Sequence, residues 1–158
     1  MTTIQPGDTI PDVKLKTTDG KDLFTTDLCR GKKVVLFAVP GAFTPTCSDY
    51  HLPGFVLRAA EIKAKGVDTI ACVAVNDHFV MNAWGNARGT GDQILMLADG
   101  NGDFARAMGL EADSSAFGMG KRSRRYAALI EDGVVKAIQV DEPGRLEAST
   151  AEAILKLL

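Results

Sequence analysis

Tryptophan occurs once, histidine twice and cysteine three times in the 158 residues of this chain. Three cysteines, Cys29, Cys47 and Cys72, are an odd number at irregular spacing. They exclude a disulfide framework and point to a reducing compartment. Two histidines, His51 and His78, and dispersed cysteines give no convincing zinc-binding spacing, and no metal or cofactor is expected. Charge is nearly balanced, with 18 basic and 20 acidic side chains. A general electrostatic pull toward nucleic acid or an anionic membrane is therefore excluded. No apolar run approaches the ~20 residues that a membrane-spanning helix needs. The opening stretch, Met1 to Asp8, has neither a basic start nor an apolar segment, so no secretory leader is expected and the expected compartment is the cytoplasm. Low-complexity tracts and solenoid-length repeats are also lacking.

What is present is an ordinary globular composition, 46% hydrophobic and 24% charged, in a length suited to one domain over residues 1–158. Asp12 to Lys16 reads as a strand, and Thr18-Asp19-Gly20 turns it back toward Asp22-Leu23-Phe24 as an N-terminal hairpin. Lys33 to Val39 and Val67 to Val75 are apolar runs typical of strands covered on both faces. A helix is predicted from about Thr44 to Gly66, interrupted at Pro53. His78 to Ala87 reads as a helix, Ile94 to Ala98 as a strand, and Asp103 to Met108 as a short helix. Arg125–Glu131 and Val134–Val140 flank Asp132-Gly133, a hairpin turn. Ser149 followed by Glu152 reads as the capping box of a last helix, Ala151 to Leu158. This order predicts an α/β fold with a mixed central sheet flanked by helices, thioredoxin-like, with its chemistry at the carboxyl end of a central strand.

That position is occupied by "VPGAFTPTCSDYHLPGF", Val39 to Phe55, which sets a thiol on a turn crowded by proline and glycine. With Thr44 as N-cap, Pro45 takes the first helical position and Cys47 lies in the first turn, where Thr44's hydroxyl is placed to accept from the Cys47 N–H. The helix dipole favours a negative sulfur at this end. Ionisation alone does not make a fast nucleophile. A thiol of pKa ~8.5 is about 3% thiolate at neutral pH and one of pKa ~6 about 90%. Against that roughly thirtyfold gain, a Brønsted slope of ~0.4–0.5 costs about tenfold in intrinsic nucleophilicity. The site must also supply donors for the charge that moves onto a leaving group. Arg122, Arg124 and Arg125 stand at the start of a strand, and Arg124 and Arg125 must point to opposite faces. Lys121 and Arg122 read as a solvated or phosphate-binding basic patch.

Pro40, Thr44 and Cys47 reproduce the P-x-x-x-T-x-x-C motif of peroxiredoxins. "PGAFTPTCSDYHLPGF", "ACVAVNDHFVMNAWG", "LADGNGDFARAMGL" and "RSRRYAALIEDGVVKAI" together resemble the type II, peroxiredoxin-5-like branch over nearly the whole chain. The resemblance implies a thioredoxin fold and a thiol peroxidase that reduces hydrogen peroxide and small organic hydroperoxides without metal or haem. It implies that Cys47 is the peroxidatic cysteine, that Thr44 orients peroxide and thiolate, and that Pro40 shields the sulfur. The family's arginine directly precedes an aromatic residue, which matches Arg125 before Tyr126, with Arg124 the second choice. Thr46, His51, Phe43 and Phe117 are expected around the site. Trp84, Phe79 and Met81 read as core, or, as the resemblance implies, as lying near a homodimer face that an exposed Phe43 or Phe117 would join.

Ala148 stands where some members of this branch carry a resolving cysteine. Cys72, mid-strand in "IACVAV", is read as buried packing ahead of a resolving role, and Cys29 as incidental on a connecting segment. The expected reductant is therefore an external thiol, glutathione with glutaredoxin ahead of thioredoxin. Three other readings compete. His51, four residues after Cys47, allows a cysteine hydrolase in which an imidazolium stabilises the thiolate; a site-lining or dimer-contact role is preferred. Asp99 to Asp103 mimics a calcium loop but has Leu110 where the bidentate glutamate belongs. A non-catalytic thioredoxin-fold redox sensor or chaperone is the rival from another functional class.

Overall fold

The computed structural model describes residues 3–158. Its strands and helices run β1 (Lys14–Thr17), β2 (Asp22–Phe24), α1 (Thr25–Cys29), β3 (Lys33–Val39), α2 (Leu52–Ala64), β4 (Thr69–Ala74), α3 (His78–Arg88), β5 (Leu95–Ala98), α4 (Asp103–Ala107), β6 (Glu111–Asp113), β7 (Lys121–Ser123), β8 (Tyr126–Glu131), β9 (Val134–Val140) and α5 (Ala151–Leu155). A seven-stranded sheet has the order β2-β1-β5-β4-β3-β8-β9, and β6 pairs with β7 apart from it. The central β3, β4 and β5 are parallel, while β1, β2, β8 and β9 join antiparallel. The expected mixed sheet and N-terminal hairpin are both present. Asp132 and Gly133 both take positive φ, 47° and 79°, as a two-residue turn between β8 and β9 requires.

Strand alternation divides the core into two layers. Val35, Phe37 and Val39 of β3 face α2, α3 and α5, where they meet Phe55, Ile62, Met81, Trp84 and Ile154. Val34, Leu36 and Ala38 face the other way, toward Leu28 and Cys29 of α1 and Phe104 of α4. Phe37 and Phe55 stack with centroids 4.0 Å apart and planes within 5°, an aromatic contact adding ~0.5–1.5 kcal/mol beyond area burial. This pair shares its core layer with Cys47.

Several expectations need correction. Pro53 does not interrupt the helix. Pro45 and Thr46 are helical, Cys47–His51 form one π turn, and α2 continues through Pro53. The Leu52 N–H reaches back to the Cys47 carbonyl. That wider turn accommodates a proline that lacks its own N–H and would crowd the preceding carbonyl of a regular α-helix. Ser149 does not cap the last helix; the Thr150 hydroxyl accepts from Ala153 N–H at 3.1 Å instead. Cys29 is the buried end of α1, not part of a loop, and burial pushes its thiol up to about 11 despite nearby Lys32. Asp99 and Asp103 open α4, with Asp99 accepting from Phe104 and Ala105 N–H groups at 3.0 Å each. The β6–β7 pair and α1 are too short to have shown a period in the sequence.

Candidate active site

The polypeptide leaves β3 at Pro40 and must turn sharply before re-entering a helix. Gly41 sits in close quarters there: a Cβ would lie 3.0 Å from the Met119 methyl and 3.3 Å from Thr44 Cγ2, so these side chains would have to give way. Phe43 adopts φ 63°, a left-handed conformation that costs a non-glycine residue about 1 kcal/mol or more. Asn76 accepts from the Ala42 N–H at 2.9 Å. Arg122, expected in a solvated patch, is instead an internal brace, donating to the Val75 carbonyl at 3.1 Å and the Met119 carbonyl at 2.8 Å. Lys121 is exposed and paired with Asp113 at 3.2 Å.

Thr44 also differs from expectation. Its hydroxyl does not accept from Cys47; it donates to the Gly41 carbonyl at 2.7 Å. Ser48 N–H bonds the Thr44 carbonyl at 2.9 Å, so the Thr46 and Cys47 N–H groups precede the first intrahelical bond. With its proton committed, Thr44 Oγ1 keeps its lone pairs for accepting.

Cys47 is only 1% exposed, and a guanidinium lies against it. Arg125 Nη2 is 3.1 Å from the sulfur, and its Nη1 is 2.8 Å from His51 Nδ1. Arg124 lines the same cavity, but its guanidinium donates to the Asp141 carbonyl at 3.3 Å rather than to the sulfur. His51 is 1% exposed, tilted against Phe37 and Phe55, so it is not a surface contact. Its Nε2 is 2.9 Å from the Ser149 carbonyl. A carbonyl only accepts and a guanidinium only donates, so one tautomer fits: the proton is on Nε2 and Nδ1 accepts from Arg125. Burial, aided by the adjacent Arg125 charge, pulls His51 down to about 3. A neutral imidazole bonded to arginine cannot serve as the imidazolium partner of a thiolate, which removes the hydrolase reading.

A cavity of about 610 Å³ opens above this group, lined by Pro40, Thr44, Thr46, Phe117, Arg124 and Arg125 among others. Phe43 is 52% exposed and Phe117 82%. Of the two readings left open, Trp84 and Met81 take the core one and are fully buried, whereas Phe79 is 74% exposed. Cys72 pairs with Phe37 across β3–β4 and shares a core layer with Cys47; burial drives its thiol well above the usual range. Among the described residues no group of three or more histidine, cysteine or acidic side chains is placed to hold a metal ion. Asn76, Asp141 and Ser149 were not singled out as site residues. They are polar side chains on turns, and only the three-dimensional contact reveals what they hold.

Residues 5–155 match the redoxin family. A chloroplastic peroxiredoxin-2E-2 from Oryza sativa subsp. japonica is 52% identical, covering 99% of this chain and 73% of the relative. Reduced Prx3 from Vibrio vulnificus in complex with hydrogen peroxide superposes with a TM-score of 0.95 at 52% identity, covering 99% of this chain and 100% of that one. Peroxiredoxin 5 from Alvinella pompejana gives 0.87 at 42% identity, over 97% of this chain and 96% of that one. The chain belongs to the redoxin family and, within it, to the peroxiredoxins. It is a thiol-dependent peroxidase.

Proposed function

We propose that Cys47 is the peroxidatic residue and that Arg125, Thr44 and Pro40 complete its site. The observation that carries this reading is the 3.1 Å contact between Arg125 Nη2 and the Cys47 sulfur, made from the wall of the cavity. A hydroperoxide entering there donates its O–H to the free lone pair of Thr44 Oγ1. The Cys47 thiolate attacks the terminal oxygen; the S–O bond forms as the O–O bond breaks. Sulfur is oxidised by two electrons to the sulfenic acid, and the leaving oxygen departs as hydroxide or alkoxide and takes up a proton. Arg125 stabilises the charge that moves from sulfur to that oxygen, while Pro40 keeps bulk water away.

An external thiol restores the enzyme. It displaces water from the sulfenic acid to give a mixed disulfide, and a second thiol releases Cys47 as the thiol. Glutathione with glutaredoxin is favoured over thioredoxin. Cys47 is nearly inaccessible, so a small thiol reaches it with less movement than a folded redoxin. The cavity wall also carries both signs of charge, with Arg124 and Arg145 beside Asp113 and Glu142, which suits a small peptide bearing carboxylates and an ammonium. Cys72 remains packing in this scheme. The exposed Phe43, Phe79 and Phe117 favour a homodimer face, and three unpaired cysteines favour a reducing compartment such as the cytoplasm. Peroxide turnover driven in parallel by glutathione with glutaredoxin and by thioredoxin tests the recycling scheme. Faster turnover with thioredoxin would overturn the order of reductants.

A further inference from the structure

We propose that Asp141 is a positioning residue for the peroxidase, acting through Ser149 and His51 to hold the Arg125 guanidinium against Cys47. The inference rests on the reading of Arg125 as the group that stabilises charge during oxidation of Cys47.

The bonds form a closed circuit. Asp141 N–H donates to the Arg125 carbonyl at 2.9 Å, just past the last paired residues of β8 and β9. Its carboxylate then gathers the returning chain. Oδ1 accepts from the N–H groups of Glu147 at 3.0 Å and Ala148 at 2.7 Å. Oδ2 accepts from the N–H of Ser149 at 3.1 Å and from its hydroxyl at 2.5 Å. Four donors on one buried carboxylate over-determine the position of Ser149. Burial works against the charged form of Asp141, but these hydrogen bonds outweigh it and hold the carboxyl below its usual range. Ser149 in turn directs its carbonyl at His51 Nε2, and His51 Nδ1 accepts from Arg125 Nη1. The circuit begins at the Arg125 backbone and ends on its own guanidinium.

This arrangement supplies what a single cation lacks. Nη1 is committed to a neutral acceptor set by the loop, so the guanidinium plane cannot rotate and Nη2 stays on the sulfur. Within the circuit the hydrogen bond to the reacting sulfur comes from Arg125, so Asp141 acts at a distance through geometry. Positioning errors of about 1 Å far from the chemistry cost up to about a hundredfold in rate.

The test is Asp141→Asn in the full chain, measured by stopped-flow oxidation with stoichiometric hydrogen peroxide and, separately, by alkylation of Cys47 with iodoacetamide. Alkylation breaks no O–O bond and so does not draw on the stabilisation of a leaving oxygen that Arg125 provides. Oxidation is expected to fall about tenfold or more while alkylation stays within about threefold. The imidazole ¹⁵N shifts of His51 should lose the pattern of a fixed Nε2–H tautomer. Adding Asp141→Asn to Arg125→Ala should slow oxidation by no more than about twofold beyond Arg125→Ala alone. Unchanged oxidation, equal changes in both reactions, or losses that multiply in the double variant would overturn the proposal. Should Asp141→Asn fail to fold, Ser149→Ala removes one donor and keeps the carbonyl. A loss of about threefold in oxidation with alkylation unaltered is then expected, and no loss overturns the proposal. If Arg125→Ala itself oxidises at the parental rate, the underlying reading of the site fails and takes this inference with it. If Arg125→Ala is slow and Asp141→Asn is not, only the inference fails.

Discussion

Replacing Arg125 by alanine removes the only guanidinium found against the Cys47 sulfur among the described residues. The cost can be worked two ways. Deleting one preorganised donor to developing charge costs about 10²–10³ in rate, or ~2.7–4 kcal/mol. Coulomb's law gives ~4 kcal/mol for unit charges about 4 Å apart at an effective dielectric of ~20. The two figures overlap, so oxidation of Arg125→Ala by hydrogen peroxide should be about 10²–10³ slower than that of the parent. Arg125→Lys keeps a charge but loses the fork that reaches the sulfur and His51 together, and a loss of roughly tenfold is expected.

The chain carries its own reporter for this assay. Trp84 is the single tryptophan, and its indole N–H donates to the Ser48 hydroxyl at 2.8 Å, one residue beyond Cys47. Movement of the π turn on oxidation should register in its fluorescence. Pre-reduced protein is mixed with increasing peroxide, and the slope of the observed rate gives the second-order constant. Circular dichroism checks the fold, since losing the guanidinium leaves His51 Nδ1 unpaired at a cost of ~1–3 kcal/mol. A folded Arg125→Ala that oxidises within about threefold of the parent would refute the electrostatic reasoning. Equal damage from Arg124→Ala would refute the assignment of the arginine.

Cys72→Ser should leave peroxide turnover with glutathione and glutaredoxin unchanged. It should lower stability by ~1–3 kcal/mol, because a hydroxyl is placed in an apolar layer; lost turnover in a folded variant would make Cys72 a resolving cysteine. His51 has a folded-state value of about 3 against 6.5 for an ordinary histidine. As pH falls below 6.5 the unfolded chain binds a proton that the folded chain refuses, so this contribution to stability is complete above 6.5 and is lost toward pH 3. Urea titrations between these values should show a slope of up to ~1.4 kcal/mol per pH unit that His51→Asn removes; equal slopes in parent and variant would contradict the buried neutral imidazole. If the proposed homodimer forms through the exposed phenylalanines, Phe79→Arg with Phe117→Arg should lower the sedimentation coefficient in sedimentation velocity, and an unshifted coefficient would contradict that proposed face.

How much of this was legible depends on the range of the interactions. The strands β3, β4 and β8 announce themselves because burial on both faces leaves a local apolar pattern. Cys47 stood out because proline and glycine around a thiol mark a constrained turn. Arg125 was separable from Arg124 only through its place before Tyr126, since strand alternation says that one of them faces the thiol without saying which. The continuity of the helix through Pro53 was illegible, because a π turn shifts each bond by one residue without leaving a compositional trace. Thr44 and Ser149 were misread for a related reason. A hydroxyl near a helix start has a local acceptor or donor available, and local rules assign it there. In the folded chain the Gly41 carbonyl claims one hydroxyl and Asp141 claims the other. Asp141 was invisible because its donors are six to eight residues away and its consequence is felt at Arg125. A carboxylate that organises backbone N–H groups carries no periodic signature, so the part of the site that aims the arginine emerges only when strand β8, the π turn and the segment after β9 are brought to one place.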